Sequence, residues 1–257
     1  MENKSKEPSK TSWAEIGQIM DEEMSSVENI LADFDKTSIG RIRQSIGNAV
    51  MVFRRDPVLK GAIRFNELTA QRDIVGNLGW ERTGGSNITD VDESNIQLYL
   101  EQTYGLTYEK AIDRGMRIVA NENRYHPIRN YLESLSWDGI PRIGKVLPKY
   151  LGADENEYTA EAMQLLLIAA IKRIYEPGCK FEIMVCLVGG QGAGKSTFFR
   201  FLACNDEWFS DDLKRIDDEQ VYRKMVGHWI IEMSEIRDLQ YPKHFYLRMG
   251  KRIPPSL

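Results

Sequence analysis

The stretch FEIMVCLVGGQGAGKSTFFRFLA, residues 181–203, constrains the folds open to this chain more than any other part of it. The apolar run at 183–188 is too short for an independent helix, carries β-branched residues and ends directly in glycines, so it reads as a buried strand. After the glycines, Phe198, Phe199, Phe201 and Leu202 give an apolar helix. Between strand and helix, Gly189 to Ser196 fits the Gly-x-x-x-x-Gly-Lys-Ser pattern of a phosphate-binding loop. Such a loop belongs to a parallel α/β architecture, because the pattern needs a strand before it and a helix after it.

Each residue type in the loop has a chemical reason. Gly189, Gly190, Gly192 and Gly194, with Gln191 and Ala193 between them, let the backbone turn tightly and aim its N–H groups at one point. The helix that opens near Lys195 turns its own unpaired N–H groups to the same place. Lys195 reaches the β- and γ-phosphates of a nucleotide, and the Ser196 hydroxyl, followed by Thr197, suits Mg²⁺. ATP and Mg²⁺ are therefore the expected cofactors. A plain glycine turn accounts for the glycines but leaves the Lys-Ser pair unexplained.

A phosphate-cleaving site also needs acids at the end of a neighbouring strand. GHWIIEMSEI, residues 227–236, supplies them: Trp229, Ile230 and Ile231 read as a short buried strand with Glu232 at its end and Glu235 three residues on. Glu232 takes the Mg²⁺ side and Glu235 the water-activating role, though the two roles are interchangeable at this level. The plainer alternative is a pair of surface acids on an edge strand. Asp211, Asp212, Asp217 and Asp218 read as a solvated loop. His126, just before Pro127, reads as a packing or capping residue, and Tyr150, Trp208 and the phenylalanines after the loop as core.

Net charge over the 257 residues is −4, which excludes a global basic field and leaves only a local patch for any nucleic acid. The basic stretch from Leu239 to Leu257, with Lys243, Arg248, Lys251 and Arg252, is either such a patch or a frayed tail, and a tail is the reading favoured. Cys179, Cys186 and Cys204 lack zinc-binding spacing and read as reduced core thiols of a cytoplasmic protein. The charged N-terminus has no signal-peptide character. The longest apolar stretch, 162–171, is far short of a bilayer span, so no membrane partner is expected.

Three segments emerge along the chain. Residues 1–38 form a polar tail and an amphipathic helical arm. Residues 39–136 form a small α+β accessory domain with scattered arginines and possible DNA contact. There NAVMVFRRDP and KGAIRFNEL read as two strands bracketing the turn Asp56-Pro57. Asp90 reads as the N-cap of a helix with Glu93 closing a capping box, and two further helices follow, the second starting at Pro127. The turn WDGIPRI at 137–143 opens the third segment, 137–257, the P-loop core. Its helix YTAEAMQLLLIAAIKRIY is apolar on nearly every face and is expected inside a large core beside the nucleotide-binding sheet.

YLESLSWDGIPRI, YLGA, EPGCKFEIMVCLVGGQGAGKSTFFRFLA and GHWIIEMSEI, in this order, resemble the virulence-associated protein E family. The resemblance covers about residues 48–239. It implies an AAA+-like, superfamily 3 helicase-type ATPase core that works as a ring on single-stranded DNA in phage or pathogenicity-island replication, beside an initiator or primase. Lys195 and Ser196 match its Walker A positions, and Glu232 and Glu235 its acidic strand end. Members of the family extend further after that strand. YPKHFYLRMGKRIPPSL does not resemble their continuation, so a truncated copy with impaired hydrolysis and doubtful ring assembly is expected. The competing reading is a non-catalytic nucleotide-binding regulator that docks on a full-length helicase or initiator. A small-molecule kinase fits poorly, since no lid or acceptor site is evident.

Overall fold

The computed structural model describes residues 24–82, 85–213, 221–233 and the strand at 245–248. Over these residues the fold is mixed α/β, rich in helix and poor in strand. It divides into two compact units, one of residues up to 67 with 71–125, the other of 68–70 with the residues from 126 on. Among the described residues no helix is long and apolar enough to cross a membrane. The first half of the helical arm read at 13–34, residues 13–23, lies outside the described residues, and the second half carries α1 (24–32).

The first unit continues with α2 (Ile46–Arg55), β1 (Ile63–Asn66), β2 (Gln71–Ile74), α3 (Asp90–Tyr104) and α4 (Glu109–Glu122). The first expected strand, NAVMVFRRDP, is instead the body of α2. Ser45 sits extended as its N-cap and accepts the Asn48 N–H, while Ala49, Val52 and Phe53 fall on one buried face. That helical spacing outweighs the strand preference of Val50 and Val52. The second expected strand contains β1, and its antiparallel partner is β2, with Ile63 opposite Ile74 and Asn66 opposite Gln71. Asp56 ends α2 rather than a strand. Wholly buried, it accepts the N–H groups of Val58 and Leu59 on Oδ1 and the hydroxyls of Tyr99 and Tyr104 on Oδ2.

The capping box of α3 lies one residue earlier than expected. Thr89, not Asp90, is the N-cap, and Asp92, not Glu93, closes the box. Asp92 is buried because it does a second job, accepting Trp80 Nε1 at 3.1 Å and Arg82 Nε at 2.9 Å. The helix ends at Gly105 in the left-handed region, as a C-cap glycine should. α4 packs on α2 so closely that a Cβ on Gly115 would lie 2.9 Å from the Ala49 Cβ and 3.2 Å from the Val50 nitrogen. Only glycine permits that approach.

The second unit holds α5 (Pro127–Ser134), α6 (Val146–Leu151), α7 (Glu157–Tyr175), β3 (Val185–Val188), α8 (Lys195–Leu202), β4 (Phe209–Ser210), α9 (Val221–Met225), β5 (Ile230–Ile231) and β6 (Phe245–Arg248). His126 caps α5, its Nδ1 accepting the Arg129 N–H. α7 opens with an Asn156–Thr159 capping box, and Arg129 grips its far end through the Ile174 carbonyl at 2.9 Å. β3 pairs with β6 and β4 with β5, both parallel, in separate two-stranded sheets. Part of the stretch read as a frayed tail is thus strand β6, whose apolar Phe-Tyr-Leu run suits a ladder. The core gathers Leu147 and Leu151 of α6, Ala162 and Met163 of α7 and Phe198 of α8.

Several expectations of burial need correcting. β3 buries only Cys186, and α7 leaves Ile168 and Ile171 exposed. The physical reason is that α7 packs through one face on α5, α6 and the turn before α6, while among the described residues the face with Ile168 and Ile171 is left open. Tyr150 and Phe201 are exposed rather than core, and Trp208 is half-buried. Of the three thiols, which are all free, Cys186 is buried and Cys204 is exposed.

Candidate functional site

β3 stops at Val188, the glycine loop follows, and α8 begins at Lys195. Gly192 and Gly194 have φ of 76° and 79°, in the region that favours glycine. Gly194 is the N-cap and offers no side chain, so the first N–H groups of α8 have no side-chain cap and face the loop. Gly190 is different. Its backbone has no positive φ, and a Cβ there would meet no atom within 4 Å. Neither local conformation nor packing within the chain calls for glycine at 190, which suits close approach by something from outside.

Lys195 folds back over its own loop, with Nζ donating to the carbonyls of Gly189 and Gly190 at 2.9 Å each. The ammonium braces the loop and stands where an anion entering it would meet positive charge. One residue on, the Ser196 hydroxyl donates to Glu232 Oε1 at 2.7 Å. Phe198, buried in the core, anchors the helix that carries both side chains. Gln191 and Thr197 are exposed, and the Ala193 N–H points back to the Gly190 carbonyl at 3.4 Å.

Glu232 is held by the strand pair beneath it. The Trp229 N–H donates to the Trp208 carbonyl at 2.7 Å and the Glu232 N–H to the Ser210 carbonyl at 2.8 Å. These bonds continue the register of Phe209 with Ile230 and Ser210 with Ile231. Trp229 also reaches α7, its indole N–H donating to the Ala170 carbonyl at 3.0 Å, and packs edge to face on Trp208, which meets Tyr131 in the same way. The sequence shows Trp229 beside the strand but not these partners. Ser210, whose carbonyl accepts the Glu232 N–H, and Trp208, whose carbonyl accepts the Trp229 N–H, fix this strand end through their backbone, which carries no signal that a motif reveals.

The Oε2 atom of Glu232 is buried and has no hydrogen-bond partner among the described residues. A hydroxyl and a carboxylate with one unmatched oxygen form a hard oxygen donor set of the kind that suits Mg²⁺. Among the described residues no group of three or more His, Cys, Asp or Glu side chains could hold a metal by itself. The structure thus brings Lys195, Ser196 and Glu232 together with the glycine loop, while Glu235, Asp217 and Asp218 lie outside the described residues.

None of the curated proteins compared with the chain matches it. The family model of the virulence-associated protein E-like domain matches residues 132–245. That span holds β3, the glycine loop, α8, β4 and β5. Over these residues, somewhat less than half of the chain, it is similar to the virulence-associated protein E-like domain family.

Proposed function

We propose that the second unit is a P-loop NTPase core that binds ATP with Mg²⁺ and hydrolyses it in the service of DNA replication by a phage or pathogenicity island, acting on single-stranded DNA. The observation that carries this reading is the 2.7 Å contact of Ser196 with Glu232, one residue from a lysine folded over a glycine loop. A strand–turn–helix motif alone does not require a carboxylate from a different strand to meet its serine.

In this reading the N–H groups of the loop and of the first turn of α8 orient the phosphates, and Lys195 neutralises charge on the β- and γ-phosphates. Mg²⁺, when bound, would supply charge neutralisation at the phosphates. Ser196 and Glu232 are the residues that would hold it. Glu235 is the proposed water-orienting acid.

The competing reading, nucleotide binding without turnover in a regulator that docks on a replication helicase, draws on one feature. Among the described residues, β3 and β5 lie in separate sheets, so no ladder hydrogen bonds fix Glu232 relative to the loop. One experiment separates the two: ATP binding and hydrolysis with and without single-stranded DNA, with Lys195→Ala as the blank. DNA-stimulated turnover above the blank supports the ATPase. Binding without turnover supports the regulator, and unchanged ATP binding by Lys195→Ala sinks both.

A further inference from the structure

Trp137 is 78% exposed in the loop between α5 and α6, an unusual position for the largest apolar side chain. The loop around it is not slack. Asp138 forms a two-point ion pair with Arg142, at 2.8 and 2.6 Å, and also accepts the Ile140 N–H at 3.1 Å. The Trp137 indole N–H leans on the Ile140 carbonyl at 3.5 Å. The ring is therefore presented from a closed, internally bonded turn.

Its surroundings are cationic and aromatic. The turn runs directly into a 3-10 turn at Ile143–Lys145 and then into α6, so Lys145, Lys149 and Tyr150 follow it on contiguous elements. Tyr150 is 53% exposed, with the Lys149 ammonium 5.1 Å from its ring centre. Lys145 and Lys149 are exposed and make no ion pair with any of the described residues. The one acid of the turn, Asp138, is already engaged by Arg142. In a chain of net charge −4, this is a local concentration of positive charge interleaved with open π-faces.

We infer that Trp137 and Tyr150, flanked by Lys145 and Lys149, form a stacking platform for single-stranded nucleic acid. Trp137 and the face of Tyr150 not covered by Lys149 take bases, and the two ammonium groups, neither in an ion pair with a described residue, meet the phosphates, a combination that binds single strands with little sequence preference. A protein partner would use the apolar rings but leave two unpaired lysines facing it, so charge complementarity favours the polyanion. The inference deepens the proposed function by naming where the strand is held, and it rests on that reading only for the identity of the strand.

The test is binding of oligo(dT) to the intact protein without nucleotide, read by anisotropy of a labelled oligonucleotide and by intrinsic tryptophan quenching. Trp137→Ala is expected to weaken binding about tenfold or more, and Trp137→Phe to keep most of the affinity while losing much of the quenching. Replacing Lys145 and Lys149 by Ala is expected to flatten the slope of log affinity against log salt by about 1.4, since each contact on a single strand contributes about 0.7. Unchanged affinity in Trp137→Ala, or an unchanged salt slope in the lysine variant, overturns the platform even if ATP binds normally. Loss of self-association in Trp137→Ala with DNA binding intact also overturns it, by making the turn a protein contact. The expected DNA results in a chain that fails to bind ATP would keep the platform and discard the ATPase.

Discussion

The Ser196 hydroxyl donates to Glu232 Oε1 at 2.7 Å, so the first turn of α8 and the end of β5 meet at one hydrogen bond although 36 residues separate them. The other oxygen of that carboxylate is buried and unmatched among the described residues. A buried acceptor without a donor costs stability, a cost that the cation of the proposed reading would offset. Glu232→Gln preserves shape and the contact with Ser196 but removes the charge. It is expected to lower the Mg²⁺-dependent part of ATP affinity by about 10- to 100-fold while leaving metal-free nucleotide binding nearly unchanged. Titration calorimetry with and without Mg²⁺ checks this, and equal loss in both conditions would count against a metal role.

Acid sensitivity of the first unit should trace to Asp92. Burial by itself pushes its carboxyl up, but hydrogen bonds from Arg82, Trp80 and Thr89 more than offset this and hold it well below the usual carboxylate range. A group depressed in the folded state stabilises above its unfolded pKa, about 3.9, and that contribution is lost as pH falls further. Asp92→Asn should cost about 2–3 kcal/mol near neutral pH and flatten the loss of stability below about pH 4. Urea denaturation of both proteins at several pH values measures the difference.

Gly115 fixes how closely α2 and α4 pack. Alanine is the better helix former by about 1 kcal/mol, yet its Cβ would press on Ala49 and on the backbone of Val50. Overpacking of this kind costs about 1–3 kcal/mol, so Gly115→Ala is expected to lower the unfolding temperature. A rise in that temperature would show that the two helices separate freely.

The thiols should separate by accessibility. Burial pushes the Cys186 thiol up and shields it inside β3, whereas Cys204 is exposed just after α8. A thiol reagent is expected to label Cys204 in the native protein and Cys186 only on unfolding. Mass mapping of the labelled peptides reports the order directly.

The turn before α8 and the acid at the end of β5 were legible as local structure, because glycines between an apolar strand and an apolar helix leave few alternatives. Gly189 to Ser196 announces itself, and Glu232 follows from an acid at the end of an apolar run. His126 as a cap was likewise readable from the proline after it. α2 was not, because Val50 and Val52 favour a strand locally and only the shared burial of Ala49, Val52 and Phe53 reveals a helix. The capping box slipped by one residue because Thr, Asp, Asp and Glu in sequence offer two registers, and Arg82 and Trp80 decide between them through Asp92. Burial was overestimated wherever apolar composition was taken to mean core, as for Phe201, Tyr150 and the outer face of α7. Composition says what a residue tolerates, while the elements packed on each face determine what covers it.

Trp208 and Trp229 meet at 6.3 Å with their planes at 71°, three residues before Glu232, and Trp229 is tethered to α7. Two indoles at that separation and tilt couple their electronic transitions. The chain therefore contains its own chiroptical gauge: any rearrangement of β5 as Glu232 changes partners alters the near-ultraviolet ellipticity of the pair, with no label attached.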